Sequence, residues 1–158
     1  MYEGYGLTET STVITNTLPS EWTSGHVGVP TPAAKIKLSD APAFGYRASE
    51  GKGEICVKGE MCISGYFRDP EATKSLIDAD GWLHTGDIGE ILPNGNLRVM
   101  ERAKNAFKLA NGEFVAPERI EGAYGRSPFV LNTYVHGDST KVFTVLVLVC
   151  TRTVQYTF

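Results

Sequence analysis

Polar and apolar side chains alternate at Lys35-Ile36-Lys37-Leu38, the period of a strand with one buried face. Gly53-Glu54-Ile55-Cys56-Val57-Lys58-Gly59 reads as a second strand bounded by glycines. Two more apolar runs, Ile88 to Leu92 and Leu97 to Met100, flank Pro93-Asn94-Gly95-Asn96. Asn-Gly between apolar runs predicts a hairpin, because both residues accept the positive φ of a tight turn. The signal recurs at Asn111-Gly112, which joins Ala106–Leu109 to Glu113–Val115. Val130 to Val135 and Lys141 to Val149 complete the strands. The last is apolar almost throughout, so it is expected to be central and buried on both faces.

Helices are few. Asp69 stands as an N-cap ahead of Pro70, which suits a first helical position, and the helix is expected to end near Asp78. Pro117 to Tyr124 reads as a second helix closed by Gly125. Residues 17–34 and 39–52 are rich in Pro, Gly, Ser and Ala and read as loops. Two units follow from this pattern. Residues 1–101 are mainly strands and loops, residues 105–158 form a small α+β piece, and Met100 to Lys104, polar and between hairpins, is the joint. The turn-like segment Tyr5–Glu9 comes only four residues into the chain, so the chain is expected to begin within a fold rather than at its edge.

Composition narrows the class. The chain of 158 residues is 42% hydrophobic and 21% charged, enough to build a core. Its formal net charge of -3 argues against a nucleic-acid binder, which carries a basic excess. The three cysteines, Cys56, Cys62 and Cys150, form no CxxC pair and read as reduced thiols rather than as a disulfide or zinc site. With three histidines in the chain, no zinc cluster is expected either. No secretory signal is visible, and the run Val142–Cys150 is too short to cross a bilayer as a helix.

Three segments can carry chemistry. In Tyr5-Gly6-Leu7-Thr8-Glu9-Thr10, glycine allows a close approach, a threonine hydroxyl can donate to a phosphate, and a carboxylate can hold Mg²⁺. The same residues also suit a plain turn. In His84-Thr85-Gly86-Asp87, placed at a strand entry, Asp87 can accept the hydroxyls of a ribose or cap a turn. His84 reads as a packed or turn histidine. Arg102, in Glu101-Arg102-Ala103-Lys104, offers a planar fork to a phosphate or ribose oxygen, or is a solvated surface arginine.

Taken in order, Tyr-Gly-Leu-Thr-Glu, Gly-Glu-Ile, Gly-Trp-Leu-His-Thr-Gly-Asp and an arginine ahead of Gly112-Glu113-Phe114-Val115-Ala116-Pro117-Glu118 are similar to the adenylate-forming superfamily. Trp22 to Gly28, Gly53 to Gly59, Asn111 to Glu121 and His136 to Ser139 resemble its long-chain fatty acyl-CoA synthetase branch. The likeness runs from about Tyr2 to Val149.

The resemblance implies an α+β fold. It would comprise part of a large AMP-binding N-terminal domain, with a β-barrel-like subdomain, over residues 1–101. A hinge at 102–104 and a truncated C-terminal small domain at 105–158 would follow. It also implies a fatty acid–CoA ligase that uses ATP, passes through an acyl-adenylate and yields acyl-CoA, AMP and pyrophosphate, with fatty acid and coenzyme A as substrates. By this likeness Tyr5 and Gly6 line the adenine, Thr8 contacts the α-phosphate and Glu9 binds Mg²⁺. Asp87 holds the ribose, Arg102 supports the nucleotide, Lys104 is the hinge residue, and Gly112 lines the coenzyme A approach with Lys108 assisting. Glu101 stands where the family has Asp, and Ala103-Lys104 where it has Lys-Lys, so one positive charge is missing.

The family's Gly/Ser/Thr-rich loop for the β- and γ-phosphates, its fatty-acid tunnel and its C-terminal catalytic lysine have no counterpart in these residues. Cys150–Phe158 departs from the family pattern. A polypeptide of this extent is therefore expected to be inactive alone. The alternatives are a non-catalytic piece that binds or regulates a partner, and a ligase for another acid. The resemblance implies a cytosol-facing parent at the endoplasmic reticulum, mitochondrial outer membrane or peroxisome, with any membrane attachment outside these residues.

Overall fold

The computed structural model describes residues 2–19 and 21–151. The chain divides into two compact units, Met1–Met100 and Glu101–Phe158. The divergent tail expected at Cys150–Phe158 falls, from residue 152 onward, outside the described residues.

The first unit begins with a small antiparallel sheet of β1 (Gly4–Gly6), β2 (Val13–Asn16) and β3 (Val29–Pro30), in that order. A 3₁₀ turn, Thr8–Thr10, links β1 to β2. The larger sheet has the order β4 (Lys35–Ser39), β5 (Lys52–Lys58), β6 (Leu83–Ile91) and β7 (Leu97–Arg102). Between β5 and β6 lies α1 (Pro70–Leu76). Its start follows from the sequence: the Asp69 carboxylate accepts the Ala72 N–H, one of the donors a helix start leaves orphaned. The helix ends at Leu76, two residues before the expected stop, where Ile77 turns extended and bridges to Leu83.

Strand alternation decides what the large sheet buries. Ile55 and Val57 of β5 point to one face and form a core with Ile14, Ala34 and Leu97. Ile14, Ile55 and Val57 are fully buried, and burying a side chain of this size contributes about 1.5–3 kcal/mol. Ile14 comes from β2, so this core joins the small sheet to the large one. Leu97 adds a backbone link: the Val27 N–H donates to its carbonyl, and its own N–H donates to Gly28 O. Gly28 has φ 84, and a Cβ there would run into the backbone of Asn16 and Thr17, so the crossing requires glycine.

The opposite face carries Lys37 and Ser39 of β4, Glu54 and Cys56 of β5, and His84 of β6. The register sets Lys37 against Cys56, Ser39 against Glu54, and Cys56 against His84. The segment after α1 folds over this face. Lys37 Nζ lies 4.6 Å from the Trp82 ring centroid and 3.7 Å from Asp78 Oδ2, and Lys58 Nζ donates to Asp80 O.

In the second unit β8 (Phe107–Lys108) pairs with β9 (Phe114–Val115), the hairpin expected at Asn111-Gly112. Then come α2 (Pro117–Tyr124), β10 (Val130–Gly137) and β11 (Thr144–Cys150). Among the described residues the last two pair only with each other.

Two expectations need correction. Every sheet among the described residues is open, so the barrel-like subdomain takes the form of separate open sheets, with β4 and β7 as edges of the larger one. The α+β class itself holds. Second, the apolar run in β11 is not a buried central strand. It has one neighbouring strand, and Val145, Val147 and Val149 are each half exposed, while α2 packs on β10, where Val135 is buried.

Candidate functional site

The sequence between His84 and Asp87 was expected at a strand entry, and the structure places it inside β6. Cys56 pairs with His84 and Glu54 with Ile88, so two steps along β5 face four along β6. The surplus residues form a bulge at Thr85-Gly86-Asp87, with Gly86 at φ 73. That value favours glycine, because a Cβ in the left-handed region meets its own carbonyl. The bulge is held from β5. Thr85 Oγ1 donates to Ile55 O and accepts the Asp87 N–H, while Glu54 Oε1 accepts the Gly86 N–H at 3.0 Å.

The bulge re-aims Asp87, which is 2% exposed, toward β1. Tyr5, in the middle of β1, donates its phenol to Asp87 Oδ2 at 2.6 Å. Eighty-two positions separate the two residues in the chain. A carboxylate accepts several hydrogen bonds at once, so holding Tyr5 is compatible with accepting the hydroxyls of a ribose.

Gly6 ends β1 at a point where a Cβ would fall 2.6 Å from Thr12 O, so the chain can double back only without a side chain. Buried Thr10 fixes the turn. Its Oγ1 accepts the Leu7 N–H and lies 2.9 Å from both Leu7 O and Thr12 O. Ser11 then takes the left-handed conformation, φ 57, a strained geometry for a residue with a Cβ. The turn leaves Thr8 exposed and Glu9 half-buried.

Glu9 Oε1 accepts the Tyr66 phenol at 2.6 Å, and Glu9 O accepts the Ile63 N–H. The hydrogen bond to Glu9, reinforced by its negative charge, raises the Tyr66 pKa above the ordinary tyrosine value. Tyr66 also lines an open depression with Gly65, Arg68, Thr73, Lys74 and Ile77. Tyr66 was not anticipated as a site residue. The only signal was a glycine-tyrosine pair just ahead of the Asp69-Pro70 helix start. Glu54 was also missed, since its grip on the bulge depends on strand register rather than on spacing in the chain.

In the second unit, Arg102 is the exposed last residue of β7, and exposed Lys104 sits in the 3₁₀ turn Ala103–Asn105. Gly112 closes the β8–β9 hairpin at φ 89, its N–H donating to Leu109 O. Lys108 Nζ lies 5.5 Å from the Phe114 ring centroid. Thus Tyr5, Gly6, Thr8, Glu9 and Asp87 belong to the first unit, with a direct bond between Tyr5 and Asp87. Arg102, Lys104, Lys108 and Gly112 belong to the second.

No helix among the described residues is long and apolar enough to cross a membrane. One group of possible metal ligands lies among the described residues, which the count of histidines did not suggest. Glu54, Cys56 and His84 present ligand atoms within 4.8 Å of one another on the polar face of the large sheet. Alternation puts Glu54 and Cys56 on one face, and the register sets His84 opposite Cys56, so three residues distant in sequence meet.

Comparison with known proteins agrees with the motif order. The family described as AMP-binding enzyme matches residues 1–67. The chain is 55% identical over 149 residues to long-chain-fatty-acid–CoA ligase 6 of Rattus norvegicus, covering 94% of this chain and 21% of that protein. It is 50% identical over 140 residues to the peroxisomal long chain acyl-CoA synthetase 7 of Arabidopsis thaliana, covering 87% of this chain and 20% of that one. Its fold is similar to the A domain of carboxylic acid reductase from Segniliparus rugosus, solved in complex with AMP and a co-purified carboxylic acid. There the TM-score is 0.78 at 32% identity, over 96% of this chain and 23% of the other. The chain spans about a fifth of the length of the curated relatives it matches. With the Tyr-Gly-Leu-Thr-Glu turn and the Thr-Gly-Asp bulge joined by a hydrogen bond, the chain belongs to the AMP-binding family of adenylate-forming enzymes and is similar to one segment of the proteins named long-chain-fatty-acid–CoA ligases.

Proposed function

We propose that this chain is the part of a long-chain fatty acid–CoA ligase that holds the adenosine of ATP and leads into the mobile C-terminal domain. Residues 1–101 are the end of the AMP-binding domain, 102–104 the hinge, and 105–158 the start of the small domain. The reaction has two halves. The fatty carboxylate attacks the α-phosphorus of ATP, giving acyl-adenylate and pyrophosphate, and the thiol of coenzyme A then displaces AMP.

The observation that carries this reading is the Tyr5–Asp87 hydrogen bond. It joins two motifs far apart in the chain and sets an aromatic ring beside a carboxylate, the pair needed for a base and its ribose. Asp87 accepts the ribose hydroxyls, Tyr5 lies against the adenine, and Gly6 keeps the backbone close. Thr8, exposed at the turn, donates to the α-phosphate. Glu9 would supply the carboxylate oxygen that Mg²⁺ prefers, its Oε1 steadied by the Tyr66 phenol. When bound, that ion offsets the negative charge that builds on the phosphate. Arg102 supports the nucleotide, Lys104 is the pivot about which the small domain turns between the half-reactions, and Gly112 borders the coenzyme A approach.

The test is a chimera in which this chain replaces the corresponding segment of the rat ligase. The chimera is expected to ligate palmitate to coenzyme A, whereas the isolated chain shows no turnover. Asp87→Ala in the chimera should lower kcat/KM for ATP at least tenfold, from about 1.5–3 kcal/mol for hydrogen bonds to a charged group. An active chimera indifferent to that substitution would sink the reading.

A further inference from the structure

The polar face of the large sheet holds a constellation that nucleotide binding does not use. Cys56 Sγ lies 3.6 Å from His84 Nδ1, and that nitrogen lies 2.8 Å from Glu54 Oε2. On the far side of the ring, His84 Nε2 is 3.5 Å from Asp78 Oδ2. Asp78 is itself pinned, its Oδ1 accepting the N–H groups of Asp80 and Trp82.

We propose that Cys56, His84 and Glu54 form a binding site for a zinc-class divalent cation, with water as the fourth ligand. The distances favour it. A tetrahedral ion with a sulfur at about 2.3 Å and a nitrogen at about 2.0 Å separates those atoms by about 3.5 Å. Sγ and Nδ1 already stand at 3.6 Å. The nitrogen–oxygen pair, now hydrogen-bonded at 2.8 Å, has only to open by about half an ångström to span two ligand positions.

The surroundings supply the outer shell. Asp78 accepts the hydrogen bond of His84 Nε2–H when Nδ1 binds the ion, the carboxylate–histidine arrangement that fixes a ligating ring. Ser39 Oγ, 3.3 Å from Sγ, accepts from the thiol and can donate to the thiolate once the thiol proton has left to solvent. Glu54 is preset: Oε1 is held by the Gly86 N–H, and Oε2 is turned to His84 Nδ1.

The donor set also sets the choice of ion. One thiolate, one imidazole and one carboxylate suit zinc or its cobalt surrogate and do not suit magnesium or calcium, which prefer oxygen. The site is thus separate from Glu9 in chemistry as well as in place. Glu54 and His84 are each about one-quarter to one-third exposed, so the ion reaches the buried sulfur from their side.

The experiment is titration of the full chain, kept reduced, with cobalt chloride. A thiolate-to-cobalt absorption band saturating at one equivalent and erased by added zinc is expected. Cys56→Ser and His84→Gln should abolish the band, whereas Cys62→Ser and Cys150→Ser should keep it. Circular dichroism checks that each variant is folded. X-ray absorption at the zinc edge of the unaltered chain needs no variant, and one sulfur at about 2.3 Å with lighter ligands at about 2.0 Å is the supporting result. A shell without sulfur, no cobalt band, or a band that survives in Cys56→Ser overturns the site.

Discussion

Two antiparallel pairs, β5–β6 in the first unit and β10–β11 in the second, show how little a strand's own sequence says about its burial. β5 reads KGEICVK, a mixed strand, yet Ile55, Cys56 and Val57 are all fully buried. β11 reads TVLVLVC and is nearly all apolar, yet most of its side chains stand half exposed. The difference is layers. One face of β5 meets Ile14 from the small sheet, and the segment around Asp78 and Trp82 covers the other. β11 has β10 on one edge, and the helix of this unit, α2, packs on β10 instead. An apolar run states that a strand can be buried, and the partner layers decide whether it is.

The comparison can be broken most directly by truncating one side chain in each pair. Ile55→Ala should cost about 2–5 kcal/mol, read by urea unfolding through the tryptophans, both of which lie in the first unit. Val147→Ala should stay within about 0.5 kcal/mol, read by amide exchange across β10–β11. Equal effects would mean that β11 is covered as β5 is. Next in size is Gly86→Ala. It forces a side chain into the left-handed region and should cost about 1–2 kcal/mol while weakening AMP binding in the chimera. A neutral result would mean that the bulge does not require the left-handed backbone at Gly86.

Smaller is the Asp69 cap. Asp69→Ala should destabilise α1 by about 1 kcal/mol, and Asp69→Asn should recover most of it. Smallest is the acid response. The Trp82 N–H above all, with His84 and Lys37, holds the Asp78 carboxyl below the usual aspartate pKa. In the second unit the Thr140 backbone N–H and hydroxyl do the same for Asp138. Both groups therefore stabilise the fold above the ordinary aspartate pKa, and both contributions fade as pH falls through the lowered values. Carboxyl NMR titration should show each aspartate protonating later than an unperturbed one. A normal midpoint at either would mean that its turn is open in solution.

The thiols sharpen the same contrast. Burial raises the pKa of Cys56 and of Cys62, while Cys150 is exposed. A disulfide reagent near pH 8 should label Cys150 first and Cys56 last. Fast labelling of Cys56 would show that the polar face of the large sheet opens readily.

Much of the architecture could be read from the chain because its signals are local. Asn94-Gly95 and Asn111-Gly112 force tight turns whatever surrounds them, Asp69-Pro70 starts a helix by satisfying its own orphan N–H groups, and Pro117 does so by needing none. The ordered motifs gave the family for the same reason, being short runs of adjacent residues. Tertiary structure alone decided the rest. The bulge at Thr85–Asp87, the bond from Tyr5 to Asp87, and the meeting of Glu54, Cys56 and His84 all depend on how strands slide against one another. Register is fixed by which faces are buried and by which backbone groups pair across tens of residues, so no stretch of sequence contains it.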